Sequence, residues 1–161
     1  MRYGFMSNFR RSWSEIGKRA VLPQQQAFIN SYLYSAVAPV TGKSFHLMNL
    51  ADMDTDTEKV FLTELKKQHP DEPVVVIIDN APCHRPKILH KIPGLSLIYL
   101  PSYSPELNPT ERFFEELRRS TANKIFTTME ELEKRLTDAI NSWTPDKLKQ
   151  LCGYDWILAQ L

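Results

Sequence analysis

Cysteine is nearly absent from this chain of 161 residues, which has two, Cys83 and Cys152. Two thiols cannot build a disulfide framework, and their separation excludes a cysteine-rich zinc site, so a reducing compartment is expected. Long apolar runs are missing as well. No stretch reaches the roughly 18 apolar residues that a membrane span requires. Basic residues scattered through the N-terminal segment leave no apolar core for a signal peptide. Surplus charge is also lacking. The formal net charge is +1, so no global basic field attracts nucleic acid, and such a partner would have to be held by a local patch. No internal repeat or low-complexity tract is visible.

What remains is ordinary for a folded protein: 42% hydrophobic and 24% charged residues. The length suits one domain over 1–161, able to bury roughly 70% of its unfolded surface. Residues 1–26 are basic and aromatic without a clear period. Residues 27–38 read as a strand, "PVTG" at 39–42 as a turn, and "KSFHLMNL" as a second strand, which together make a hairpin. From Thr55, Val60, Phe61, Leu62 and Leu65 recur at helical spacing, with Asp54 to Asp56 as cap candidates. "VVVII" at 74–78 has no polar alternation and predicts a strand covered on both faces. A short helix near 86–92, a strand at 95–100, a proline-rich loop, helices at about 109–121 and 128–142, and a short helix opened by Pro145 follow. Strands alternating with helices imply parallel pairing, and the leading hairpin makes the sheet mixed.

Ligands of such sheets sit outside the carboxyl ends of the strands. Asp79 lies at such an end, where a carboxylate is costly unless it faces water, a partner or a metal. Glu111 opens the helix that follows the next strand. Were the two strands adjacent, these carboxylates would share a site suited to Mg²⁺ or Mn²⁺, which take oxygen ligands and keep waters. Simpler readings stand beside this one. Asn108, Pro109 and Glu111 fit the N-cap, N1 and N3 positions of a helix start. Asp79-Asn80 also reads as a polar strand exit, and His84 as a hydrogen-bonded loop histidine. The Asp52, Asp54, Asp56 cluster lacks the glycine and glutamate of a calcium loop and reads as helix capping. Arg10, Arg11, Lys18 and Arg19, interleaved with Tyr3, Phe9 and Trp13, read either as phosphate and base contacts or as a solvated loop.

The two stretches "IIDNAPCH" and "LIYLPSYSPELNPTERFFEELRR" together resemble the catalytic domain of the mariner-related insertion-sequence transposases of bacteria, the DDE endonucleases. The resemblance extends to "SWSEIGKRAVLP" and "YLYSAVAPVTGKSF" and so covers nearly the whole chain. It implies an α/β, RNase H-like mixed sheet with flanking helices. It implies metal-dependent hydrolysis of DNA phosphodiesters at transposon ends, then strand transfer, with two Mg²⁺ or Mn²⁺ ions held by three acids. By motif, Asp79 is the second acid and Glu111 the third. Glu115 and Glu116 rank below Glu111, and Asn80, His84 and Asn108 are site-shaping neighbours. The implied partners are DNA and a second copy of the chain, in the bacterial cytoplasm at the nucleoid, with no membrane.

Two departures from the family pattern shape the expectations. The interval from Asp79 to Glu111 is a few residues short, the gap falling at 85–95. The family's first acid, normally in Asp-Glu just before a segment like "MRYGF", is not in this sequence, and Asp52 and Asp54 cannot replace it. The first core strand is therefore expected to be largely missing, and residues 2–8 to fill part of the gap. An unpaired apolar edge would then invite dimerisation or lower stability. Cleavage by this chain alone is expected to be weak or absent. The alternatives are a non-catalytic remnant that binds DNA or protein, and an unrelated α/β binding domain in which Glu111 only caps a helix.

Overall fold

The computed structural model describes residues 1–6, 8–50, 52–81 and 84–159; Cys83 lies outside them. Among the described residues five strands, β1 (Arg2–Met6), β2 (Gln26–Val37), β3 (Ser44–Leu50), β4 (Val74–Ile78) and β5 (Leu95–Tyr99), combine with five helices. The helices are α1 (Thr55–Lys67), α2 (Pro109–Thr121), α3 (Met129–Asn141), α4 (Pro145–Cys152) and α5 (Asp155–Leu158). The mixed sheet is realised in two parts: β1, β2 and β3 are antiparallel, and β4 and β5 are parallel.

The expected hairpin is β2 and β3. Its turn needs glycine at Gly42, where φ is +71° and an added Cβ would meet the Pro145 carbonyl oxygen at 1.8 Å. β1 is a strand that periodicity did not show. Tyr3 and Phe5 are buried on one side of it. Gly4 lies between them, where a Cβ would meet the Ile29 carbonyl oxygen at 2.2 Å. The pairing runs on to Met1, whose carbonyl accepts from Leu33 N at 2.8 Å. Residues 2–6 thus form a strand within the segment 2–8 that was expected to fill part of the gap. β2 and β3 shift register between Tyr32 and Tyr34, and Asn49 on β3 takes φ +64° there. The Tyr3 hydroxyl holds this irregularity, donating to Asn49 Oδ1 at 2.8 Å and accepting from Asn49 N at 3.2 Å. Tyr3 is therefore a core residue and not a stacking platform for bases.

Helix starts follow their caps. Asp54 accepts from Thr57 N, Asn108 from Thr110 N, Thr128 from Glu131 N and Thr144 from Lys147 N. The helix expected at 86–92 is a single 3-10 turn, Leu89–Lys91, because Pro86 and Pro93 bracket a stretch too short for an α-helix.

Two apolar clusters hold the elements. In one, Tyr3, Phe5 and Leu33 meet Phe113, Phe114, Leu117, Phe126, Leu132, Leu136, Leu148 and Cys152. In the other, Tyr34 meets Phe61, Leu62, Leu89, Ile92 and Leu95. Each fully buried Leu or Phe contributes about 1.5–3 kcal/mol over its exposed state. The expectation for β4 is corrected: only one face is covered. Val74 and Val76 pack on the second cluster, whereas Val75 and Ile77, with Ile98 of β5, are exposed. Two strands with helices on one side leave the other face open. Among the described residues no helix is long and apolar enough to cross a membrane.

Candidate active site

β4 and β5 are adjacent and parallel, with Ile78 opposite Tyr99, and Leu100 N donates to the Ile78 carbonyl at 2.8 Å. Their carboxyl ends therefore adjoin. Asp79 leaves β4 at that edge, its side chain 51% exposed. Its Oδ1 accepts from Ala81 N at 3.0 Å and lies 3.4 Å from His84 Nε2. The carboxylate is thus held by its own loop rather than left as a loose strand exit.

From β5 the chain passes through a 3-10 turn, Pro105–Leu107, to Asn108. Asn108 Oδ1 accepts from Thr110 N at 3.1 Å, and Asn108 N donates to the Pro105 carbonyl at 3.0 Å. That second bond occupies the donor a capping box would offer to Glu111. The Glu111 carboxylate, 40% exposed, instead has Arg118 Nη2 at 3.9 Å, two turns along α2. Asn80 links the two loops: its Nδ2 donates to Ser102 Oγ at 3.2 Å, and its Oδ1 accepts from Arg85 Nε at 2.8 Å.

Behind Asp79 stands a residue the sequence reading did not single out. Glu58 on α1 is 1% exposed, and its Oε2 lies 3.3 Å from His84 Nδ1. The two atoms stand at ion-pair distance without an aligned hydrogen bond, since Oε2 accepts none among the described residues. A signal was available. Glu58 precedes Phe61, Leu62 and Leu65 at helical spacing, so a carboxylate sits on the stripe that faces the core. Tyr99 was missed too. Its hydroxyl donates to the His84 carbonyl at 2.7 Å and lies 2.9 Å from His90 Nε2.

The other expected groups are dispersed. Glu116 is paired with Arg119, and Glu115 is exposed. Arg10 is half-buried and anchored through its backbone to Asn123, at 2.9 and 3.1 Å. Arg11, Lys18 and Arg19 are exposed on the irregular segment 8–25, with Lys18 paired to Glu15. Phe9 and Trp13 are exposed on the same segment. Asp54 caps α1.

Asp79 and Glu111 supply oxygen donors only and are half-exposed, which suits a hard divalent cation that keeps several waters. Among the described residues no group of three or more His, Cys, Asp or Glu is arranged to hold a metal ion.

The α/β arrangement, with Asp79 at the end of one parallel strand and Glu111 opening the helix that follows the next, fits an RNase H-like fold. The chain belongs to the DDE superfamily of endonucleases, whose family model it matches over residues 6–133. It is 34% identical over 132 residues to an uncharacterized protein of Sinorhizobium fredii, y4pE/y4sA, covering 78% of this chain and 96% of that protein. Among solved structures it resembles the Mos1 transposase paired-end complex with left transposon end, at TM-score 0.71 and 16% identity. It also resembles the Mos1 mariner paired end complex with Mn, at TM-score 0.72 and 16% identity. Each match covers 94% of this chain and 49% of the Mos1 chain, so the chain spans about half the length of those proteins. At this identity the likeness shows the fold.

Proposed function

We propose that residues 1–161 form one RNase H-like catalytic domain of a bacterial insertion-sequence transposase, cutting DNA phosphodiesters with Mg²⁺ or Mn²⁺. The observation that supports this reading is the position of Asp79 at the end of β4, beside the end of the parallel strand β5 that leads on to Glu111, with Asp79 Oδ1 accepting from Ala81 N. In this reading Asp79 and Glu111 hold the cation. A cation held there would supply activation of the attacking oxygen and charge stabilisation at the leaving one. Rigid placement by β4 and by the N-terminus of α2 serves that chemistry, since small misplacements of reacting groups are expensive. Asn80, His84 and Asn108 shape the site. Arg10, Arg11, Lys18 and Arg19 contact the phosphates of transposon-end DNA, and a second copy of the chain is the protein partner.

A second reading is a module that binds DNA or protein without cutting. It is favoured by the segment 8–25, where Trp13, Ile16 and Val21 are exposed beside Arg11, Lys18 and Arg19. The deciding experiment is nicking of supercoiled plasmid with Mn²⁺ by the chain and by Asp79→Asn and Glu111→Gln. Weak nicking that disappears in both variants is expected. Nicking that persists in both would exclude the site. DNA binding that weakens steeply with salt, with no nicking, would establish the second reading.

A further inference from the structure

We propose that Glu58 is a positioning residue, acting through His84 to set the orientation of the Asp79 carboxylate. The proposal rests on the reading of Asp79 as a cation ligand and extends it to a residue on a different element. The geometry is a continuous line: Glu58 Oε2 to His84 Nδ1 at 3.3 Å, and His84 Nε2 to Asp79 Oδ1 at 3.4 Å. Each ring nitrogen faces one carboxylate, and the backbone of His84 is anchored. Its backbone N–H donates to the Ala81 carbonyl at 3.0 Å, and its carbonyl accepts from Tyr99 at 2.7 Å. A turn of the ring would break the contacts with Glu58 and Asp79.

The burial of Glu58 argues for a purpose beyond packing. It shares a helix face with Phe61, Leu62 and Leu65, all of them buried. An apolar residue there would avoid the desolvation of a carboxylate, which is severe when hydrogen bonds do not compensate it. Glu58 Oε2 is buried and accepts no hydrogen bond among the described residues, while its nearest polar neighbour at ion-pair distance is His84. The carboxylate thus stands where it gains least for folding and most for the orientation of the ring. Partners behind a metal ligand fix its direction, and their loss commonly weakens metal affinity 10–100-fold.

The test is Mn²⁺ affinity of the full chain, read by electron paramagnetic resonance of the free ion, for the wild type, Glu58→Gln, His84→Ala and the double variant. Glu58→Gln keeps the volume of the side chain and should weaken Mn²⁺ binding about tenfold. In the His84→Ala background the same change should cost nothing more, since the connection is already cut. An equal loss in both backgrounds, or none in the first, overturns the proposal. Should Glu58→Gln fail to fold, His84→Gln carries the test. Its amide still faces both carboxylates and should recover most of the affinity that His84→Ala loses; no recovery counts against the relay. If the wild type binds no Mn²⁺, the cation-site reading fails by itself. The relay is then decided by the carboxyl ¹³C resonance of Asp79. A shift on Glu58→Gln that disappears in the His84→Ala background supports it, and an unmoved resonance overturns it.

Discussion

The Tyr99 hydroxyl, at the end of β5, donates to the carbonyl of His84 at 2.7 Å. Burial, assisted by the charge of Glu58, raises the pKa of this phenol above its usual value, so it stays a donor throughout the working pH range. Tyr99→Phe removes the donor and keeps the ring. It should lower stability by about 1 kcal/mol. It should also speed amide exchange at His84, whose N–H donates to Ala81 within the same loop. Thermal melts and hydrogen exchange check this; unchanged exchange at His84 would mean that the loop is held by other contacts.

Asn108 and Glu111 separate folding from function on one helix start. Asn108→Ala removes the cap of α2 and should cost about 1 kcal/mol. Glu111→Gln should cost less, because its carboxylate makes no cap bond and its contact with Arg118 is long and exposed. The order reverses for Mn²⁺ binding, where Glu111→Gln should do the greater damage. Chemical denaturation beside metal titration decides it, and a larger stability loss in Glu111→Gln would return that residue to a capping role.

His46 makes stability depend on acid. Its ring stacks on Phe113 at 5.2 Å and contacts Ser35 Oγ at 2.9 Å and Ser44 Oγ at 3.0 Å. Burial pushes its pKa from 6.5 down to about 4. The unfolded chain therefore binds more protons between these values. The stabilisation is complete above about pH 6.5 and is lost as pH falls toward 4. The loss between pH 7 and pH 5 should be on the order of 2 kcal/mol. His46→Gln should flatten that part of the profile of melting temperature against pH; parallel profiles would place the titration elsewhere.

Several elements are legible in the residues because local chemistry and final structure agree. "PVTG" makes the hairpin, each main helix begins at its Asp, Asn or Thr, and strand order alone brings the ends of β4 and β5 together. β1 is harder to read, since Gly4 interrupts the apolar alternation at a point set by the approach of Ile29. The open face of β4 is harder still. Val75 and Ile77 have the same character as Val74 and Val76, and only the packing of the neighbouring elements decides which pair is covered. For the site, motif and strand-end position pointed to Asp79 and Glu111. Glu58 escaped notice because its interest arises from burial, which a single carboxylate in a helix does not announce.

The division of the core also sets an order of assembly. The cluster around Phe61 and Leu62 draws on residues from Tyr34 to Leu95, whereas Tyr3, Phe5 and Leu33 find their partners between Phe113 and Cys152. As the chain leaves the ribosome, the second group of strands can settle while the apolar side of β1 still waits for helices not yet synthesised. Contacts so distant in sequence form slowly, and the waiting surface is sticky. Tyr3 and Phe5 are thus among the last residues to be enclosed, and the nascent chain should engage chaperones through them until α4 arrives.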